Sequence, residues 1–353
     1  MTTPHGHRRP SSGIGRRTLL GIAGLGVPAA AIGAYQMRAA GAPEIVDPAP
    51  SAPSAAPSVT PSPFADADPD QKLGGTVPYR AGKAMRGSYL GLKGKTYAEA
   101  LALRKKQLGR TERIVHVFYA WEDRLPTSIP YLPKSAVPLV SWRGAKYKNI
   151  LNGKSDDLIA AAARRIRALD QPTLLRWGWE MNGHWYEWGG KKNGDDPDGY
   201  VECYRRLHRI FDEEGADNVS WVWSPNWNAN PQEAWNATEN YYPGDDYVDW
   251  VGVSGYNLHE ESPQTLFDGI YQGFSARKPI MITEVGSMDW GGTTKADWIT
   301  AFARYVQERP AIGAVVWFDT DTHESYTEDW RTDTDEASIA AYRALAQNAR
   351  FAG

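Results

Sequence analysis

From about Val77 to Gly353 a short apolar run alternates with a longer helical or loop-like stretch, and this happens eight times. The apolar runs fall at 84–89, 114–119, 137–141, 173–178, 219–224, 248–254, 280–283 and 314–318. Between them, helical spacing of apolar residues predicts helices at 97–108, 155–169 (with Ser155 as its N-cap), 197–214, 296–308 and within 263–274. Strands alternating with helices imply a parallel sheet with helical crossovers. The 277 residues of this region are close to the ~250 typical of a (β/α)8 TIM barrel. An open doubly wound sheet is the competing α/β architecture, but no glycine-rich phosphate loop follows any of the runs. The barrel is therefore the expected fold class.

The first seventy-six residues read differently. Arg8, Arg9, Arg16 and Arg17 precede an uncharged, Gly- and Ala-rich stretch at 18–36, and Ala40-Gly41-Ala42 is a cleavage-like triplet. Residues 1–42 resemble a twin-arginine export signal or, if uncleaved, a membrane anchor. Residues 43–76 are rich in Pro, Ala and Ser and hold few side chains able to fill a core, so a disordered linker is expected there, with 77–353 as the catalytic domain. The expected location is outside the cytoplasm, secreted or tethered to the membrane. Asn236-Ala237-Thr238 is a glycosylation sequon that carries no weight beside a bacterial-type export signal.

Composition narrows the chemistry. A net charge of −3 gives no general attraction to nucleic acid. Cys203 is the only cysteine, which excludes an internal disulfide or a zinc site built on several thiolates, and it reads as a small buried helix residue. No metal or organic cofactor is implied, and a monomer is expected. Fifteen Trp and 18 Tyr stand against 8 Phe. Trp and Tyr pair an apolar body with a polar handle, which suits a surface where sugar rings stack by their C–H faces while their hydroxyls stay hydrogen-bonded.

In a barrel of this kind the chemistry sits at the C-terminal ends of the strands. Run four leads into Arg176-Trp177-Gly178-Trp179-Glu180-Met181-Asn182-Gly183-His184-Trp185-Tyr186-Glu187-Trp188, and run seven into Ile282-Thr283-Glu284-Val285-Gly286. Strands four and seven lie on opposite sides of an eight-stranded barrel, so Glu180 and Glu284 can face each other across its mouth. Two facing carboxyls are what glycoside hydrolysis with retention requires. A buried ion pair with Arg176 would account for the same residues without any chemistry.

These segments resemble glycoside hydrolase family 26, the β-mannanase family within the large clan of retaining glycosidases. The resemblance rests on Arg176…Glu180-Met181-Asn182-Gly183…Trp185…Trp188, on Tyr242-Pro243-Gly244-Asp245-Asp246-Tyr247-Val248-Asp249-Trp250-Val251-Gly252 with Tyr256, on Ile282-Thr283-Glu284-Val285-Gly286 and on Val315-Val316-Trp317-Phe318. It implies Glu180 as acid/base and Glu284 as nucleophile, with Arg176 and Tyr256 holding the nucleophile. It implies Trp317 as the floor beneath the reacting sugar, and Trp179, Asn182, Trp185 and Trp188 as substrate contacts. Trp179 stands where the family has His, and Ser254 where it has Asp, two departures that bear on which β-glycan is cut. Trp121, Trp142, Glu122, Asp123 and Arg143 fit cleft or core equally. His184, His323, Asp319 and Asp321 are expected as loop residues.

The expected activity is endo-hydrolysis of a β-1,4-linked polysaccharide, mannan-like or a mixed β-glucan. Trimming of the producer's own surface glycan, by hydrolysis or transglycosylation, and non-catalytic sugar binding are the alternatives.

Overall fold

A computed structural model of the protein describes residues 73–321 and 328–353. The predicted export segment, the linker up to residue 72 and His323 lie outside the described residues. Eight parallel strands close into a barrel in chain order. They are β1 (Met85–Gly91), β2 (Ile114–Tyr119), β3 (Val137–Trp142), β4 (Thr173–Trp177), β5 (Val219–Trp223), β6 (Trp250–Asn257), β7 (Ile280–Ser287) and β8 (Ile312–Thr320). All eight predicted strands are present. β7 and β8 run longer than their apolar runs because Glu284–Ser287 still pair with β6, Ile312 with β7, and Asp319 and Thr320 with β1.

The helices are α1 (Tyr97–Leu108), α2 (Tyr147–Leu151), α3 (Asp156–Arg167), α4 (Pro197–Glu213), α5 (Pro263–Phe274), α6 (Thr294–Gln307) and α7 (Glu336–Gln347). α2 and α7 have no counterpart in the sequence reading. α1 starts with a capping box between Thr96 and Glu99 and ends at Gly109, whose φ of 69° is the left-handed conformation that glycine adopts without cost. Ser155 does occupy the N-cap of α3, but its hydroxyl donates to the Asn149 carbonyl rather than capping the helix. Among the described residues no helix is long and apolar enough to cross a membrane.

The barrel interior changes character along its axis. Met85, Ile114, Leu139, Leu174, Val222, Trp250, Met281, Ala314 and Val316 pack together as an apolar base. Because strand side chains alternate faces, the next inward positions are two residues further on. Those positions include His116, Ser141, Arg176, Ser224 and Thr283, all buried and polar, while β6 has Gly252 at that level and Ser254 two residues beyond it, also buried. The base holds the strands together, and the polar layer above it forms the floor of the mouth. Residues 73–77, partly assigned to the linker on composition, instead close the base. Val77 joins the apolar cluster, and the Trp250 indole donates to the carbonyls of Gly74 and Val77 at 3.0 Å each.

Candidate active site

Glu180 and Glu284 reach the mouth by different backbone devices. After β4, Gly178 and Glu180 both take left-handed backbone, with φ of 54° and 53°. For a non-glycine residue this conformation costs on the order of 1–3 kcal/mol and persists only where the surroundings impose it. Here the Glu180 amide donates to the Ser224 carbonyl at 2.8 Å, which ties the turn to the end of β5. On β7 the pairing register with β6 slips between Val253 and Ser254, so that Val253 faces Ile282 while Ser254 faces Glu284. Such a bulge breaks strict alternation and re-aims a side chain. Thr283 bonds inward to Ser224 at 2.8 Å, and its neighbour Glu284 also points into the barrel.

Both carboxyls are buried, and they are held differently. Glu284 receives a hydrogen bond and the full charge of Arg176 on one oxygen, and the Tyr256 hydroxyl at 2.5 Å on the other. Glu180 receives the Trp185 indole N–H at 3.0 Å. Burial, and then the charge of Glu284, push the Glu180 carboxyl up to about 8, against the opposing pull of Arg176 and of hydrogen bonds from Ser254 and Trp185. One carboxyl is thus paired with a cation while the other, raised by burial, keeps its proton near neutral pH.

Arg176 organises the floor. Besides Glu284 it donates to Ser254 at 2.6 Å and to Ser141 at 3.3 Å, and its guanidinium lies 5.2 Å from the Trp179 ring centre. Ser141 is 2.7 Å from His116 Nε2, and burial beside Arg176 depresses the His116 pKa well below the usual range, keeping the ring neutral.

Residues 133–344 match the sequence profile of glycosyl hydrolase family 26. The chain belongs to that family. Endoglucanase H of Acetivibrio thermocellus is 33% identical over 255 residues, covering 67% of this chain and 27% of the relative. A mannan endo-1,4-beta-mannosidase of Bacillus subtilis is 29% identical over 162 residues, 42% of each chain. The chain therefore spans well under half the length of these relatives. A family 26 β-mannanase from Bacteroides ovatus superimposes with a TM-score of 0.57 at 17% identity, over 76% of this chain and 89% of that one, which shows the shared barrel.

The other residues expected from the family resemblance divide. Arg176, Tyr256 and Trp185 touch one or other glutamate directly. Trp179 and Trp188 are buried behind that first set, with the Trp188 indole donating to the Trp179 carbonyl at 2.7 Å and its ring stacked on Tyr186. Asn182 does not face the mouth with a free amide. It accepts from the Asn226 amide at 2.8 Å and donates to the Asn226 carbonyl at 2.9 Å, which staples the loop after β4 to the loop after β5.

Trp317 is not the floor of the site. It points outward from β8 into the helix layer, edge-on to Trp298 and Phe302 of α6 and Tyr342 of α7. The inward residue is its neighbour Phe318, stacked 5.1 Å from Tyr89 and edge-on to Tyr256. Alternation from Ala314 and Val316 in the apolar base would have given Phe318 that position.

The remaining candidates are settled by burial. Trp142 is core, stacked under the half-buried Trp121, while Glu122 and Asp123 are exposed and Arg143 is half-buried. His184 is half-buried. Asp319 is no solvated loop acid: it is buried in a two-point ion pair with Arg104 of α1, at 2.6 and 2.7 Å. Asp321 is largely buried beside Arg331. Cys203 is buried, and burial pushes its thiol pKa up, which keeps it protonated and inert.

Tyr89, Phe318 and Trp330 line the β8–β1 side of the well, and the sequence reading did not find them. Trp330 packs 5.1 Å from Tyr256, over Gly286, where a Cβ would come within 2.8 Å of the indole. Among the described residues no group of three or more His, Cys, Asp or Glu could hold a metal ion.

Proposed function

We propose that this chain is a retaining endo-β-1,4-glycanase with Glu180 as acid/base and Glu284 as nucleophile. The observation that carries the assignment is the asymmetry between the two buried carboxyls: Arg176 and Tyr256 both bond Glu284, while burial raises the Glu180 carboxyl and keeps its proton. Two carboxyls in unlike electrostatic settings divide the roles of acid and nucleophile.

Glu284 attacks the anomeric carbon as Glu180 gives its proton to the leaving glycosidic oxygen. This forms a glycosyl ester on Glu284 and frees the aglycone as an alcohol. Glu180, now a carboxylate, takes a proton from water as the water oxygen attacks the same carbon. The ester breaks, Glu284 is released ionised, and the product keeps the starting anomeric configuration. Neither step calls on a metal or organic cofactor.

The substrate class is a β-1,4-linked hexose polymer, glucan or mannan, in line with the endoglucanase and the mannanase among its relatives. Endo action fits a mouth rimmed by partly exposed aromatics, with Trp185 and Trp227 on one side and Trp290, 40% exposed, on another. The basic and apolar N-terminal segment supports action outside the cytoplasm, on environmental glycan or on the producer's own surface polymer.

The test is reducing-sugar release from mannan, glucomannan, mixed-linkage glucan, xylan and the producer's surface polymer, with Glu180→Ala and Glu284→Ala beside the parent. Activity on one polymer that both substitutions reduce at least ~1,000-fold, with retained configuration in the first-formed product by NMR, is the expected result. Full activity in either variant overturns the pair. Silence on every polymer, with retained binding, points to a sugar-binding barrel.

A further inference from the structure

Trp317 and Lys295 both bond the backbone of one short segment, residues 329–330, that follows β8 and brings Trp330 to the wall of the well. The Trp330 amide donates to the Thr320 carbonyl at 3.0 Å, and the Trp330 carbonyl accepts from the Trp317 indole at 2.8 Å. One residue earlier, the Asp329 carbonyl accepts from Lys295 Nζ at 3.1 Å. Further on, the Thr332 amide donates to Asp319 at 3.2 Å, and Arg104 of α1 bonds Asp333 at 2.6 Å. Trp330 in turn confines Tyr256. Their ring centres are 5.1 Å apart, and Phe318 meets the same tyrosine ring edge-on at 5.8 Å. With its ring flanked by both, Tyr256 has one place for its hydroxyl, and that hydroxyl bonds Glu284.

Packing alone does not account for the two donors. Lys295 is fully buried in the first turn of α6. A cation there is opposed twice, by desolvation and by the positive end of the helix dipole. Burial, with the Arg331 charge acting the same way, pulls the Lys295 ammonium down to about 8 against Asp329, Asp319 and Asp289. An apolar side chain of the same length would fill the space at neither cost, but it would offer nothing to the Asp329 carbonyl. Trp317 packs against Trp298, Phe302 and Tyr342 with its ring, which leaves its N–H for the Trp330 carbonyl.

We propose that Lys295 and Trp317 are positioning residues for the nucleophile: they clamp the backbone at Asp329 and Trp330 so that Trp330 keeps the Tyr256 hydroxyl on Glu284. The inference rests on Glu284 being the nucleophile. Both residues act through Trp330 and then Tyr256, so their effect belongs to the rate of the chemical step. It also gives Trp317 its part in the reaction, from behind the wall of the well.

The test is a double-mutant cycle in the full chain. kcat and KM are measured at about pH 6, below the raised Glu180 and lowered Lys295 values, on whichever of mannan, glucomannan, mixed-linkage glucan, xylan or the surface polymer the parent cuts fastest. Rates are counted per folded molecule, from near-UV circular dichroism. Lys295→Met keeps the length of the side chain and loses the donor. Trp317→Phe keeps a ring against the helix layer and loses the indole N–H. Each is expected to lower kcat roughly fivefold or more with KM within about twofold of the parent. In a Tyr256→Phe background no hydroxyl is left to place, and the same substitutions should lower kcat by less than about twofold. An equal loss in both backgrounds, or no loss in the parent background, overturns the clamp and leaves a structural role only. Should Lys295→Met fail to fold, the Trp317→Phe cycle decides. Equal losses in both backgrounds with an inactive Glu284→Ala remove this inference and spare the catalytic pair. Full activity in Glu284→Ala removes the pair and the clamp with it.

Discussion

Glu180 shows how much a single side chain can be bent to its surroundings. Its backbone is left-handed, its carboxyl is buried, and it lies near a second carboxyl paired with Arg176. These features predict a stability effect as well as a rate effect. An acid whose folded pKa is raised, here up to about 8, binds more protons folded than unfolded across the interval between the two values. The folded state is therefore not penalised below the ordinary glutamate range and loses stability as pH rises toward about 8, by at most ~1.4 kcal/mol per pH unit. Glu180→Gln removes this titration. Its urea midpoint, compared with the parent, should show a gap that is small at pH 5 and wider at pH 8, in favour of the variant. A gap that does not change with pH would mean that Glu180 is ionised in the folded protein at neutral pH.

At the scale of strands and loops, the pattern of the sequence was a good guide to existence and a poorer one to facing. All eight strands and five helices could be read from apolar spacing, because each buries one stripe or one face. The two glutamates were legible because an acid at the end of an apolar strand has few other reasons to be there. Trp317 and Asn182 were misplaced for different reasons. The Asn182 staple joins two segments distant in sequence, which no local pattern encodes, whereas the facing of Trp317 follows from plain alternation along β8. Trp317 belongs to the helix layer because Ala314, Val316 and Phe318 take the inward face. Asn182 serves the loops through both ends of its amide. Asn182→Ala leaves the buried backbone amide and carbonyl of Asn226 without these partners, at a cost of roughly 2–4 kcal/mol. The expected result is a lower Tm together with a reduced kcat, because Glu180 and Ser224 are tied at the same junction. An unchanged Tm with a raised KM alone would restore Asn182 as a direct sugar contact.

Across the whole molecule, the barrel assigns stability to one end and chemistry to the other. The mouth is expensive: it buries two carboxyls, an arginine, a histidine and several hydroxyls where an apolar core would otherwise sit. The base offsets that cost with a closed apolar layer, which residues 73–79 seal from below. Val77 fills it, the Val77 amide donates to Ser220 at 2.9 Å, Ser220 donates to the Gly74 carbonyl at 2.8 Å, and Tyr79 reaches the Pro310 carbonyl at 2.8 Å. Composition placed most of this segment in the linker because its neighbours are Gly and Thr, small residues whose packing becomes visible only once the barrel has closed over them. A chain starting at Leu73 should therefore keep the thermal midpoint and the activity of one that starts upstream. A chain starting at Arg80 loses the burial of Val77 and both acceptors of the Trp250 indole, a buried donor left unpaired. Its cost should be several kcal/mol, read as a drop in Tm of roughly 5 °C or more, with KM nearly unchanged in whatever fraction remains folded because the mouth is at the opposite end. A shorter chain with unchanged Tm would show that the base is sealed by the strands alone, and a raised KM would show that the two ends of the barrel are not independent.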